Sequence, residues 1–511
     1  MTSRRSPARF NPLFTLVIGG LLAFSLYLHY RLVPYAEDDS YIHIRVARNL
    51  WDNGVPYFNK NEAVMASTSP LWVILTAPAA TLGGSQPLGV ALLNAFVLVG
   101  AAFAWGRLYG SLTQSRDTRE VAVVAIVVFF TLLPASIGLM ETPLALLLVG
   151  LGLLGITRGA PIGLPLLCAS IFVRPECGAF AVAGLLWKFA HKRPWNVREI
   201  TASAGVLAAL SWFQLHFFGG LYPATARAKE IVYNLSGSEF VRLLFIGSYG
   251  GWVAKAVAPA VTCAACIMVV VLALRQKHIS VGKLWREART SSLFIMVAPA
   301  VVILAVYAVK SVLIFPWYVA LFLVPLHVAL VRDIFRATGR VRLLAMTLLI
   351  PWFAMTVCVV VGSRNFAYLP FFESGARARK LKHLGEWLAL EYPNAKVAAP
   401  EIGALGFSFP GSIEDTIGLA SPGALRFHPL TVPSQRPTGY HGGVPAGFIE
   451  HTSPTVVIGL DVFMTDFLSS TVSGHYEIRK VPPVLEEDRA RLGAAKVFGA
   501  DDMIIAIRKN R

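Results

Sequence analysis

The segment LFTLVIGGLLAFSLYLHY, residues 13–30, is a long apolar run without Asp, Glu, Lys or Arg. A helix needs about 20 mostly apolar residues to cross the hydrocarbon core of a bilayer. Arg4, Arg5 and Arg9 precede the run, and no small-residue cleavage site follows it. These features predict an uncleaved first transmembrane span with a cytoplasmic N-terminus.

The composition of the whole chain agrees with a membrane protein. Of the 511 residues, 55% are hydrophobic and 15% are charged, whereas soluble domains are about 25% charged. This excludes a soluble enzyme, a disordered chain and a disulfide-rich scaffold. The apolar run at 69–82 is short and contains Pro78, so it predicts an interfacial or re-entrant segment. Ten further spans are predicted at residues 88–108, 121–137, 143–156, 161–173, 178–189, 201–218, 252–274, 293–314, 316–331 and 343–361.

The net charge of the chain is +17, and its distribution along the sequence agrees with this topology. The segments predicted to be cytoplasmic hold 20 Lys and Arg against 5 Asp and Glu, whereas residues 363–511 hold 16 against 15. The positive charge therefore indicates orientation in the membrane and does not indicate a nucleic-acid partner. With eleven spans, the C-terminal tail lies outside the cytoplasm.

The predicted fold class is an α-helical polytopic membrane protein with an extracytoplasmic α/β domain. The transmembrane domain is predicted over residues 1–362, with a first outer loop at 32–87, and the tail domain over 363–511. In the tail, β-rich runs predict strands at 396–399, 455–460, 476–481 and 503–507, and an amphipathic pattern predicts a helix over 375–390.

Three adjacent carboxylates, Glu37, Asp38 and Asp39, follow the first span directly. A solvated acidic loop is the simplest interpretation. A helix is predicted from residue 41, and on it Asp39 and His43 share a face because they are four residues apart. With Arg45 nearby, these groups are suited to general-base catalysis and anion binding.

Other charged residues recur at the outer ends of predicted spans, namely Glu141, Arg174, Glu176, Arg227 and Lys229. Ionisable residues at membrane depth are candidates for function. Arg174 and Glu176 are equally consistent with a local structural ion pair, and Arg227 and Lys229 with interfacial anchors.

The chemistry that these residues suggest is transfer of a group from a membrane-borne phosphate donor. Carboxylates would deprotonate an acceptor hydroxyl, and basic groups would stabilise the leaving phosphate. The chain has no Walker loop, no G-x-G-x-x-G and no HExxH. A Ca²⁺ or Mg²⁺ ion that bridges Asp38 or Asp39 to a phosphate is an alternative that the sequence leaves open.

The chain resembles the GT-C glycosyltransferases, and in particular the mycobacterial terminal arabinofuranosyltransferases and the type IV pilin arabinosyltransferases. The resemblance is carried by an ordered series of motifs: EDDSYIHIRVARNL (37–50), Gly54, YFN (57–59), Glu62, STSPLW (67–72), ETP (141–143), RPE (174–176), LYP (221–223) with Lys229, EIGALG (401–406) and Asp415-x-x-Gly418-Leu419.

The resemblance implies a GT-C fold and an inverting transferase in the bacterial plasma membrane, with a periplasmic active site. The implied donor is a polyprenyl-phosphate sugar, D-arabinofuranose, and the implied acceptor is a hydroxyl of a glycan or a pilin-like protein. Asp38 would be the general base, and Asp39 would assist it or hold a metal. The residues that would bind substrate are His43, Arg45, Glu141, Arg174, Glu176, Tyr222, Arg227 and Lys229.

Two other functions are weighed against this one. A transporter or flippase of lipid-linked sugars predicts charges near the middle of the spans and paired broken helices. A structural subunit of a cell-wall assembly, with the tail as a binding module, does not require the outer-loop carboxylates. The clustering of the charges at one side of the membrane favours the transferase.

Overall fold

The structure is a computed structural model that describes residues 12–115, 117–233, 294–310, 315–336, 372–431, 440–492 and 497–509. The spans predicted at 252–274 and 343–361 lie outside the described residues. Before the tail, the described helices are α1 (Pro12–Leu32), α2 (Asp38–Asn53), α3 (Pro70–Ala80), α4 (Leu88–Thr113), α5 (Thr118–Ile137), α6 (Thr142–Arg158), α7 (Gly163–Ile171), α8 (Gly178–Ala190), α9 (Val197–Phe218), α10 (Ala224–Val232), α11 (Phe294–Val309) and α12 (Pro316–Arg336).

Five of the described helices are long and apolar enough to cross a membrane: α1, α4, α5, α9 and α12. The predicted helical membrane fold is thus confirmed in its class, while the number of eleven spans stays a prediction. The helices at two predicted spans are short, since α7 has 9 residues and α8 has 13. At 1.5 Å per residue they measure about 14 and 20 Å, less than the roughly 30 Å of a hydrocarbon core.

Buried polar side chains connect the long helices at one end of the bundle. The ring of His29 in α1 lies 2.9 Å from the Ser136 hydroxyl in α5. Asn94 of α4 donates to the carbonyl oxygen of Met140 at 3.0 Å. Because an unpaired polar group in hydrocarbon is costly, these contacts fix the helices in one arrangement. They also fix the turn that leads to Glu141.

The tail contains a five-stranded mixed sheet in the order β2-β1-β3-β5-β4. β1 (Val397–Ala399) is parallel to β2 (Ile413–Asp415) and β3 (Val456–Leu460), and β5 (Met503–Arg508) is antiparallel to β3 and β4 (Tyr476–Val481). The four predicted strands are therefore confirmed, whereas β2 was not predicted. The tail helices are α13 (Phe372–Glu391), α14 (Gly403–Ser408), α15 (Ala446–Thr452), α16 (Thr465–Ser469) and α17 (Glu486–Leu492).

The tail packs directly on the end of α1, and one hydrophobic core runs through both parts. The Tyr35 hydroxyl donates to Asp488 at 2.9 Å and accepts from Arg491 at 2.8 Å. α13 comes so close to the same residue that a Cβ atom on Gly375 would lie 2.3 Å from the Tyr35 carbonyl oxygen. The end of the bundle in contact with the tail is called the tail-facing end below.

We expect Gly375→Ala to weaken the contact between the tail and the bundle. The added methyl group has no room beside the Tyr35 carbonyl, and overpacking of this kind costs about 1–3 kcal/mol. Thermal unfolding of the purified protein in detergent would show a lower midpoint. The matched control is Gly423→Ala, where the new methyl would come no closer than 3.9 Å to another residue. Equal midpoints for the two variants would contradict this account of the contact.

Candidate active site at the tail-facing end

Arg174 is at the centre of a buried ion-pair network in the turn between α7 and α8. Its guanidinium donates to Glu141 at 2.7 Å and to Glu176 at 2.7 Å. The Tyr307 hydroxyl of α11 donates to Glu176 at 2.7 Å, and the Arg174 guanidinium lies 4.0 Å from the ring centroid of Tyr318. The predicted residues Glu141, Arg174 and Glu176 therefore lie together. Because two carboxylates engage this arginine, its charge is already balanced.

His43 connects this network to α2. Its Nδ1 lies 2.7 Å from the Ser67 hydroxyl oxygen, which accepts from the backbone N–H of Ser69. Nε2 of the same ring lies 3.6 Å from Glu141 Oε2. Burial lowers the pKa of His43 although Glu141 and Asp39 act in the opposite direction. His43 is therefore neutral at pH 7, and Glu141 Oε2 is a buried acceptor without a hydrogen bond in the described structure.

The turn that carries Glu141 has an unusual backbone conformation. Leu139 has φ 57°, the left-handed region that residues with a Cβ seldom occupy. Strain of this kind persists only where neighbouring contacts enforce it. Here the carbonyl of the next residue, Met140, accepts from Asn94, so the turn is fixed from the adjacent helix.

Lys229 on α10 is the cation with unused donors in this part of the described structure. Its ammonium donates to the Tyr318 hydroxyl at 2.9 Å and lies 5.1 Å from the ring centroid of Phe315. Burial disfavours the charge, but Tyr318 and Asp39 outweigh that effect, so the pKa of Lys229 is raised. The lysine is thus charged, and an ammonium group has two more protons to donate.

Two other predicted substrate-binding residues, Arg227 and Tyr222, lie at the surface, apart from the buried network around Arg174. Arg227 is exposed. Tyr222 is 63% exposed, and its hydroxyl donates to Glu230 at 3.2 Å. Their predicted roles stay predictions.

The two adjacent carboxylates of α2 have different surroundings. Asp38 accepts hydrogen bonds from the backbone N–H groups of Gly403 at 3.1 Å and Ala404 at 2.8 Å, both in the tail. Burial, with the charge of Glu401 beside it, raises the pKa of Asp38 to about 7 although these N–H groups favour the anion. Asp39 accepts no hydrogen bond from the described residues, and its negative charge favours the charged form of Lys229. Asp38 therefore contacts the tail, whereas Asp39 raises the pKa of Lys229.

Arg45 also contacts the tail. It was predicted to bind substrate, but its guanidinium donates to the backbone carbonyl oxygens of Phe58, Gly406, Phe409 and Gly411. All three of its nitrogen atoms are used in this way.

Several residues of the site were not found from the sequence. Arg377 of α13 forms an ion pair with Glu401 at 2.6 Å. Tyr307 and Tyr318 contact the ion-pair network from α11 and α12. Tyrosines at the ends of apolar runs are a weak signal, since such residues are common at membrane interfaces in general. Their role becomes visible only when the helices are packed together.

The described residues contain no group of three or more His, Cys, Asp or Glu side chains able to hold a metal ion. Both carboxylate oxygens of Asp38 already accept N–H groups. A Ca²⁺ or Mg²⁺ ion at Asp38 or Asp39 would need further ligands from the substrate or from residues outside the described ranges. Metal binding stays a prediction.

Comparison with known proteins gives no match to a protein-family model and no match to a curated protein.

We expect Glu37→Gln to remove a pH dependence of stability. Burial raises the pKa of Glu37 from 4.5 to about 8, while the Ser374 hydroxyl, which donates to this carboxyl, acts in the opposite direction. The folded protein therefore keeps this proton where the unfolded chain releases it. The contribution of this proton to the free energy of unfolding is fully present below pH 4.5 and is lost as the pH rises through about 8. Thermal unfolding between these values measures it.

The control for this prediction is Glu391→Gln, a change at an exposed carboxylate at the end of α13. Wild type and the control should both lose stability as the pH rises through this window, and Glu37→Gln should lose less. Parallel curves for all three proteins would show that Glu37 is not protonated in the folded state.

Proposed function

We propose that this chain is a glycosyltransferase that moves a sugar, D-arabinofuranose, from a polyprenyl-phosphate donor to a hydroxyl of an extracytoplasmic glycan or protein. The observation that carries the proposal is the placement of Asp38, Asp39 and Lys229 at one end of an apolar helical bundle. This arrangement offers a proton acceptor and an anion-binding cation at the boundary where a lipid-linked phosphate would be presented.

The proposed reaction breaks one bond and forms one. The acceptor oxygen attacks the anomeric carbon of the sugar and forms the glycosidic bond, while the bond from that carbon to the phosphate oxygen breaks. Asp38 takes the proton of the acceptor hydroxyl. The polyprenyl phosphate leaves with the electron pair, and Lys229 stabilises its negative charge. A general base is most effective when its pKa is near the working pH, which the pKa of about 7 for Asp38 satisfies.

The alternative of a lipid-linked sugar transporter has less support. Alternating access places the substrate site near the middle of the spans. The ion pairs around Arg174, with Lys229 and the two aspartates, instead occupy the ends of the described helices. This is the arrangement expected of an enzyme that works at a membrane surface.

Asp38→Asn is expected to abolish most of the transfer activity without preventing membrane insertion. An amide cannot accept the acceptor proton, and general-base catalysis contributes about 10²–10⁴-fold. The assay combines purified protein, synthetic polyprenyl-phosphoryl arabinofuranose and a panel of glycan and peptide acceptors. In the wild type, activity should rise as the pH increases through about 7, because the deprotonated Asp38 is the active form.

The matched control is Asp52→Asn, a change at an exposed carboxylate on the same helix. It should transfer sugar at the wild-type rate. Wild-type turnover in Asp38→Asn would remove this mechanism.

Lys229→Met is expected to weaken donor binding more than acceptor binding. A hydrogen bond to a charged group contributes about 1.5–3 kcal/mol, which corresponds to roughly 10- to 150-fold in affinity. The KM for the donor should therefore rise, and the KM for the acceptor should stay the same. Arg227→Met is the comparison, with a smaller effect because Arg227 is exposed and outside the cluster. A change in acceptor affinity alone would show that Lys229 does not bind the phosphate.

A further inference from the structure

We propose that Arg45 is a positioning residue of the reaction centre, because it holds the tail helix α14 whose backbone N–H groups direct the Asp38 carboxylate. The inference rests on the proposed function and adds to it. It makes the tail a part of the reaction centre and assigns Arg45 a role other than substrate binding.

The spacing of Asp38 and Arg45 on α2 matches the length of α14. Asp38 and Arg45 are seven residues apart on α2, about 10.5 Å along the axis at 1.5 Å per residue. α14 has six residues, about 9 Å. Asp38 accepts from the N–H groups of Gly403 and Ala404 at the start of α14, and Arg45 donates to the carbonyl oxygens of Gly406 and Phe409 at its end. α2 thus contacts α14 at both ends.

Such contacts are needed because the terminal N–H and carbonyl groups of a short helix have no hydrogen-bond partners within the helix. The first N–H groups and the last carbonyl groups of any helix lack partners within it, and in six residues these make up most of the backbone. An isolated helix of this length is not stable in water. The position of α14 therefore depends on external partners, and α2 supplies them at both ends.

The contacts of Arg45 suit it to this task. It is 7% exposed, and its distances to the carbonyl oxygens of Phe58, Gly406, Phe409 and Gly411 are 2.8, 2.6, 2.9 and 2.9 Å. No carboxylate pairs with it in the described part of the chain. Burial of a charge without a counter-ion is costly. The four hydrogen bonds offset that cost, and only the planar guanidinium, with its five N–H donors in fixed directions, can form them all.

Two glycines allow α2 and α14 to come this close. A Cβ atom on Gly403 would lie 1.8 Å from the Asp38 carbonyl oxygen, and one on Gly406 would lie 2.6 Å from Arg45 Nη1. A larger side chain at either position would separate the helices. The close approach that brings the N–H groups to Asp38 is therefore the same one that Arg45 stabilises.

The other groups around Asp38 do not fix its direction. The Glu401 and Asp39 carboxylates and the Arg377 guanidinium of α13 act on Asp38 through their charges. The Tyr41 ring packs against Phe407 of α14. Within the described structure, the two backbone N–H groups are the hydrogen-bond donors that reach the Asp38 carboxylate. The placement of α14 thus decides where that carboxylate points.

The test is a double-mutant cycle in the full-length protein with Arg45→Lys and Asp38→Asn. Lysine keeps the charge but cannot reach four carbonyl oxygens at once. Arg45→Lys should lower kcat by about 10²-fold, the loss that a misplacement of about 1 Å can cause, with no change in the KM for the donor. In the Asp38→Asn background it should cause no further loss, because residues that act as one unit are not additive.

The matched control is Arg48→Lys. Arg48 lies one turn further along α2 and donates to the carbonyl oxygens of Phe407 and Ala80 at 3.3 and 3.4 Å. Its one bond to α14 is longer than those of Arg45 and goes to Phe407, the penultimate residue of that helix. Arg48→Lys should therefore lower kcat much less than Arg45→Lys does.

The inference is overturned if Arg45→Lys lowers kcat equally in both backgrounds, or if it raises the donor KM at constant kcat. If Arg45→Lys does not fold, Gly406→Ala takes its place, since the new methyl group would displace the Arg45 guanidinium, and the same cycle is expected. Wild-type turnover in Asp38→Asn alone would overturn the proposed function together with the inference. Loss in Asp38→Asn with a multiplicative effect of Arg45→Lys would overturn the inference only.

Discussion

The Asp38 carboxylate joins α2 to the tail, because it accepts hydrogen bonds from two backbone N–H groups at the start of α14. Helix α2 follows the first membrane helix directly, so whatever fixes Asp38 also fixes the tail relative to the bundle. Arg45 secures the same tail helix at its other end, and Tyr35 forms a second contact with Asp488 and Arg491. The tail is thus bound to the end of the bundle by polar contacts as well as by a shared core.

A second constraint is the cost of charge near hydrocarbon. Arg174 is buried, and two carboxylates engage it. His43 is neutral, because burial lowers its pKa. Once these groups are paired, Lys229 keeps unused donors and Asp39 accepts no hydrogen bond within the described ranges. These two groups with unused hydrogen-bonding capacity, Lys229 and Asp39, are of opposite charge, and the proposed transfer needs both an acid-base group and a cation for the phosphate.

The apolar runs predicted the helical class, and the alternation of residues predicted four of the five strands of the tail, because both patterns are local. β2 escaped prediction because it has three residues and a polar centre. The charged motifs located Asp38, Glu141, Arg174 and Lys229 at ends of helices. The contacts of Arg45 were not predictable, since its partners are carbonyl oxygens of glycines and phenylalanines, which carry no charge signal. The same holds for the contacts of Tyr307 and Tyr318, which form only when distant helices pack.

The proposed transfer can be measured with the purified full-length protein in liposomes that contain polyprenyl-phosphoryl arabinofuranose, with a membrane-impermeant oligosaccharide acceptor outside. Mass spectrometry would quantify both polyprenyl phosphate and the glycosylated acceptor over time. A transferase produces one molecule of polyprenyl phosphate for each new glycosidic bond, and this is the predicted result. Movement of the intact donor between leaflets, with neither product formed, would contradict the account.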